Sequence, residues 1–279
     1  MAQTGDTEAG ADHAQTSARE KARRAALLRR AGLVVAVHLL LVLIWQASVD
    51  LFAIPAYILP SPLATLRTLG APTYAWGSNT LVSAIEILGG YLLGVGVAIL
   101  LSMLFLWSRL LALMILPLFV TLNMIPKVAL GPLFIVWFSY GIWANILIAF
   151  SICFFPILLT TTRGLNEVSP DLLDLVRSLR GTRWQLFSKI QLPGALPYLF
   201  SGMKVGAILA VAGAVVGEFI ASERGLGYLM IQVQSALDTP AMLMAATLLT
   251  LLGVALYGAV LGVERLVLGR AARSGEETR

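Results

Sequence analysis

The stretch EVSPDLLDLVRSLRGTRWQLFSKIQLPGALP, residues 167–197, is amphipathic and basic, and it separates two long apolar runs. Ser169 can cap a helix, Pro170 suits the first helical position, and Asp171 complements the positive helix end. Leu172, Leu175, Val176 and Leu179 form an apolar stripe at helical spacing. Gly181 can end this helix, and Thr182 can cap a second short one with Trp184, Phe187 and Ile190 on one face. Leu192 and Pro193 should stop the second helix, with Pro197 at the start of the next apolar run. The reading is a helix–turn–helix between two membrane spans. It serves either as an interfacial helix resting on lipid or as a docking surface for a cytoplasmic partner.

The rest of the chain supplies the spans. Of 279 residues, 58% are hydrophobic and 13% charged. Soluble domains run at about 45–50% apolar and about 25% charged. Mean hydropathy is +0.84. This excludes a soluble enzyme and a disordered chain, because too little polar surface exists to face water. The single Cys153 allows no intrachain disulfide.

Outward from the central stretch, apolar runs fall at about 31–49, 79–106, 110–138, 142–162, 195–220 and 241–266. The expectation is an all-α polytopic membrane protein with six transmembrane helices. Residues 1–30 read as a disordered basic tail, 31–268 as the transmembrane domain with its cytoplasmic segment at 163–193, and 269–279 as a second tail. A basic flank before an apolar run also describes a signal peptide or twin-arginine signal, but this run is longer than usual and more spans follow. Residues 50–78 read as an external linker with a short surface helix near 61–69, and 221–240 as a polar loop. The 110–138 run is too long for one straight crossing. Pro117, Pro126, Gly131 and Pro132 interrupt it, so a kinked or broken helix is expected.

Basic residues alternate in number across these runs. Sixteen Lys and Arg fall in the two tails, at Arg265 and Arg109, and in 163–193, whereas the opposite loops hold only Arg67 and Arg224. The positive-inside rule places both termini in the cytoplasm. The net charge of +5 is therefore a topology signal, with no call for nucleic acid.

Four charges fall within or beside spans. Glu86, Lys127 and Glu218 lie in the same half of the membrane if their segments are straight helices, about 10 Å deep for Glu86 and about 27 and 31 Å from the cytoplasmic end for the others. A charge at the bilayer centre costs at least about 2.5–3.5 kcal/mol, so each needs a partner or a task. Lys127 has three readings: an ion pair with Glu86 or Glu218, snorkelling, or a place on a solute path with Glu86, Asn123 and Glu218. Lys204 reads as snorkelling, and Trp137, Tyr140 and Trp143 as interfacial anchors, with a place on a path as the other reading of Trp137 and Tyr140. The sequence carries no phosphate loop, HExxH or GxSxG motif, and two histidines leave little scope for a metal.

The 174–193 stretch resembles the coupling motif of ABC-importer permeases. Asp174 stands at its acidic position, and Ile190, Leu192 and Pro193 match its end. Leu175 and Val176 replace two small residues, Arg180 occupies the usual glycine position, and Gly181 comes one place late. The segments ILPSP (58–62), PKVALGPLFIVWFSYG (126–141), FFPILLTTTRGL (154–165), RWQLF (183–187), LPGALPYLFSGMKVG (192–206), AVVGEF (214–219) and RGLGYL (224–229) extend the resemblance. They look like the nitrate/sulfonate/taurine-type branch, nearest in look to permeases for pyrimidine-like heteroaromatics. The resemblance implies a type I importer permease fold in the cell inner membrane. It implies cytoplasmic ATPase subunits that bind the ATP, an extracytoplasmic solute-binding protein, and a second permease chain, with a homodimer preferred over a heterodimer. No cofactor is implied for this chain. Asp174, Leu175, Val176, Leu179, Arg180, Gly181, Thr182, Arg183 and Trp184 would then meet the ATPase. The solute would be small and anionic or heteroaromatic. The rival readings are a proton-coupled secondary transporter using Glu86 and Lys127, and a membrane anchor for a cytoplasmic complex.

Overall fold

The computed structural model describes residue 29 and residues 32–276, all of it helical or irregular, with no strand among the described residues. The expected tail at 1–30 lies, apart from Arg29, outside the described residues, and so do 277–279. The chain falls into two units that meet between Arg67 and Thr68.

The first unit contains α1 (Gly32–Leu51) and α2 (Pro62–Arg67). α1 is uncharged over its apolar length and leaves nearly all of that surface uncovered within the unit, as a lipid-facing helix does. The Gln46 side chain holds the two helices together. Its Nε2 donates to Asp50 at 2.8 Å, and its Oε1 accepts from the Leu63 backbone at 3.1 Å.

The second unit contains α3 (Trp76–Trp107), α4 (Arg109–Met124), α5 (Lys127–Phe138), α6 (Ile142–Asn166), α7 (Pro170–Ser178), α8 (Arg183–Leu186), α9 (Leu192–Ala221), α10 (Leu226–Ser235) and α11 (Thr239–Glu276). Helices α1, α3, α6 and α11, and the continuous stretch from α8 through α9, are each long and apolar enough to cross a membrane. α4 and α5 count as a sixth span if the bent pair is taken together. The six expected apolar runs therefore all return as helix.

The core is built where α6 packs between α3 and α9. Small residues set that spacing. A Cβ on Gly90 would stand 2.5 Å from the Ala149 methyl, and one on Gly213 would stand 2.7 Å from Ala149 Cα. With glycine on both flanks, α6 comes close enough for dispersion contacts along its length, the usual driving force between helices in lipid.

Pro126 explains the break between α4 and α5. A residue before proline avoids the helical region, and Pro126 itself donates no hydrogen bond. Ile125 is extended at ψ 127°, α4 stops at Met124, and α5 leaves at 100° to it. The break expected from the prolines is thus present. The height assigned to Lys127 on a straight helix does not hold, because the chain has turned before reaching it.

Two expectations are corrected. Leu192 and Pro193 do not stop the second short helix. A wide turn at Phe187–Gln191, in which Leu192 N–H donates to Phe187 O, carries α8 directly into α9. It re-pairs the carbonyl row just where proline offers no donor. The polar loop at 221–240 also contains α10. Its Leu226, Leu229 and Val233 recur at helical spacing and are all buried.

Candidate functional site

The first site is the α7–α8 bend. Ser169 caps α7, its Oγ accepting from Leu172 N at 3.3 Å. At the far end Gly181 N donates to Val176 O at 2.8 Å, the backward bond of a Schellman turn. That turn needs one left-handed residue, and Arg180 supplies it at φ 54°. The usual glycine of the motif would stand at this position, so Arg180 adopts the backbone that the glycine favours, at a cost of about 1–2 kcal/mol. Gly181 has a different task. A Cβ there would meet Val176 Cγ1 at 2.5 Å and the Val176 carbonyl at 3.1 Å. Thr182 then starts α8 with a full capping box. Its hydroxyl accepts from Gln185 N at 3.2 Å, and Gln185 Oε1 accepts from Thr182 N at 2.8 Å.

Around this bend the apolar side chains stand outward. Leu172, Leu175, Leu179 and Trp184 are 42, 54, 73 and 64% exposed. Asp174, Arg180, Thr182 and Arg183 are exposed beside them, with Val176 half-buried. Trp184 lies 5.5 Å from Phe187, which is buried against Leu165 and Ala195 and so roots the bend in the membrane-spanning body.

The second site is a buried polar cluster joining α3, α6, α9 and α10. Glu86, Ser83 and Asn145 are fully buried and Glu218 nearly so. Glu218 accepts from Ser83 Oγ at 2.5 Å, from Gly227 N, and from Tyr228 N at 3.4 Å. Ser83 Oγ accepts from Leu226 N at 2.8 Å, and Asn79 Oδ1 from Gly225 N at 2.9 Å. The first N–H groups of α10, which have no partner within their own helix, are therefore met by side chains of α3 and α9. The Glu218 carboxylate also stands at the positive end of that helix. Gly225 makes this possible, with φ 115° and no side chain toward the Glu218 carboxyl. Asn145 Nδ2 donates to Glu86 Oε1 at 2.8 Å, and the Glu86 and Glu218 carboxyls are neighbours. Among the described residues, Glu86 Oε2 and Asn145 Oδ1 have no donor.

The third site is a cleft of about 400 Å³ under the α4–α5 break. It is lined by Phe119, Phe134, Trp137, Phe150 and Phe154, with Asn123, Lys127 and Ser151 as its polar side chains. Lys127 Nζ donates to Leu122 O at 3.0 Å, a carbonyl at the end of α4 that also accepts from Ile125 N at 3.3 Å.

Of the four path residues named from the sequence, Glu86 and Glu218 meet each other, and Asn123 and Lys127 share the cleft. Lys127 makes no ion pair with either acid among the described residues. Trp137, read as an interfacial anchor or as lining a path, lines the cleft. The phenylalanines of its walls were not anticipated, because an aromatic in an apolar run looks the same whether it faces lipid, core or cavity. Lys204, read as snorkelling, has a partner that the sequence reading did not name. It pairs with Glu264 across α9 and α11 at 2.9 and 3.1 Å.

Comparison with known proteins agrees with this architecture. Residues 90–268 match the family described as binding-protein-dependent transport system inner membrane component. The chain is 32% identical to the formylaminopyrimidine transport permease protein ThiX of Halalkalibacterium halodurans, over 82% of this chain and 92% of that one. It is 38% identical to the riboflavin transport system permease protein RibX of Chloroflexus aurantiacus, over 85% and 88% respectively.

Proposed function

This chain belongs to the family of binding-protein-dependent transport system inner membrane components, the permease subunits of ABC importers, and from that premise we propose that it carries a solute path and is driven by separate cytoplasmic ATPase subunits. Membership implies an ATPase and a solute-binding protein as partners. ATP hydrolysis is assigned to the ATPase partner, since this chain has no phosphate loop.

The observation that carries the coupling is the α7–α8 bend. It presents Leu175, Leu179 and Trp184 outward, on a turn stiffened by a Schellman bond and a capping box. Large apolar side chains on a rigid protrusion are what a groove on another protein can grip, and aromatic anchors dominate such contacts. An ATPase holding Asp174 to Trp184 would pass its own closure to α9, because α8 runs without a stop into that helix. The segment 163–193 is therefore assigned to the cytoplasm, and with it both termini, in line with the distribution of basic residues. A second copy of the chain, against which the spans would enclose the path, completes the proposed assembly within the lipid.

The solute is assigned as small and anionic or heteroaromatic. The named cargoes of the two relatives, a formylaminopyrimidine and riboflavin, support the heteroaromatic side. Asn123 and Lys127 are placed on the path. Glu218 is assigned to holding α10, and Glu86 to joining α3 to α6 through Asn145. The separation of Lys127 from both acids removes the pair on which a proton-coupled carrier would have relied.

The test is co-purification with the ATPase subunits. Leu179→Glu with Trp184→Glu should abolish retention of the ATPase while leaving the permease in the membrane. Undiminished retention would remove the bend from the interface.

A further inference from the structure

We infer that the cleft under the α4–α5 break is a binding site for a planar aromatic solute bearing an anionic group. The inference rests on the permease reading and deepens it. Three observations combine. The cleft, at about 400 Å³, lies within the range of small-molecule sites. Its walls are aromatic on several sides: Phe150 and Phe154 stand 5.3 Å apart, Phe119 and Phe154 5.5 Å, and Phe134 and Trp137 6.2 Å. Trp137 leaves 63% of its surface uncovered, so a ring face remains for a guest. Flat π systems stack on such faces, whereas a saturated ring or chain gains dispersion alone.

The polar groups sit together at the break. Lys127 is the one charged side chain among those lining the cleft. It commits one ammonium N–H to Leu122 O, and an ammonium has three. Asn123, four places before Lys127 and exposed, has no side-chain hydrogen-bond partner among the described residues, and its amide adds two donors and one acceptor. The apolar walls weaken competition from water, and that strengthens the attraction of the ammonium for a carboxylate or phosphate. One end of the cleft thus selects charge and the remainder selects ring planarity.

The break explains why the site can exist here. Irregular backbone at membrane depth is tolerated where it lines a cavity, and Pro126 creates that irregularity at the head of the cleft. Lys127 holds the bend through Leu122 O, so a guest that draws the ammonium toward itself loosens the contact that fixes α5 against α4.

The experiment is equilibrium binding to the full chain in lipid nanodiscs, without ATP and without ATPase. Three probes separate ring from charge: orotate (planar and anionic), uracil (planar and neutral) and cyclohexanecarboxylate (anionic and not planar). Orotate should bind saturably and at least about tenfold more tightly than cyclohexanecarboxylate. Lys127→Met should weaken orotate by about tenfold and uracil distinctly less. Phe134→Leu should weaken orotate and uracil alike. Trp137→Leu, an exposed position that can hardly affect folding, should do the same, and it decides the matter if Phe134→Leu misfolds. Failure of orotate to bind, equal binding of orotate and cyclohexanecarboxylate, or indifference to Lys127→Met and Trp137→Leu overturns the assignment. Because no ATPase is present, the cleft can fail this test while ATP-driven transport stands, and ATP coupling can fail while the cleft still binds.

Discussion

Arg180 shows how much a single backbone angle can decide. The Schellman turn that ends α7 requires one left-handed residue, and the chain puts an arginine there, with glycine one place later under Val176. Replacing Arg180 by glycine should relieve about 1 kcal/mol of strain. Thermal unfolding in detergent should show a raised midpoint or slower proteolysis at the bend. An unchanged or lowered midpoint would mean that the arginine side chain contributes more than the strain costs. Gly181→Ala should act in the opposite sense, by forcing Val176 aside. The sequence made part of this legible. Ser169 and Thr182 were readable as caps because a cap acts within three residues of itself. The left-handed residue was assigned one place late, because glycine is the usual sign of that conformation and here it marks a close approach. Glu218 could be seen to need a task but not which one, since Ser83 and the start of α10 come from distant parts of the chain.

Among the elements, the six apolar runs and the broken helix were readable, because both depend on local composition and on proline. The continuity of α8 with α9 was not. Pro193 predicts a stop, and only the wide turn at Phe187–Gln191 absorbs it. α10 was missed although Leu226, Leu229 and Val233 carry the helical period, because the surrounding segment is short and polar. The link between α9 and α11 also came from the structure. Lys204 and Glu264 lie 60 residues apart and pair through two contacts, with their side chains 25 and 17% exposed. Lys204→Met alone should destabilise the protein by about 1–3 kcal/mol, since it leaves a largely covered carboxylate without its cation. Lys204→Met with Glu264→Gln should recover much of that loss. A double-mutant cycle by denaturant titration in micelles checks it, and strictly additive losses would show that the pair contributes nothing as a pair.

For the whole molecule, the proposed coupling would run along one chain of contacts. The exposed bend around Trp184 continues through α8 into α9, and α9 packs on α6 and, through Glu218, holds the start of α10. The cleft lies on the neighbouring side of α6, where Phe150 and Phe154 face the broken pair α4 and α5. On the proposed coupling, a pull on the bend would reach α6, which supplies Asn145 to the cluster and Phe150 and Phe154 to the cleft.

The most direct measurement is solute uptake into proteoliposomes containing the permease, its ATPase subunits and the binding protein, with ATP supplied on the side that carries residues 163–193. The account predicts uptake that requires ATP, persists when a protonophore collapses the proton gradient, and is lost in the Leu179→Glu, Trp184→Glu double variant. Uptake that proceeds without ATP and stops with the protonophore would contradict it.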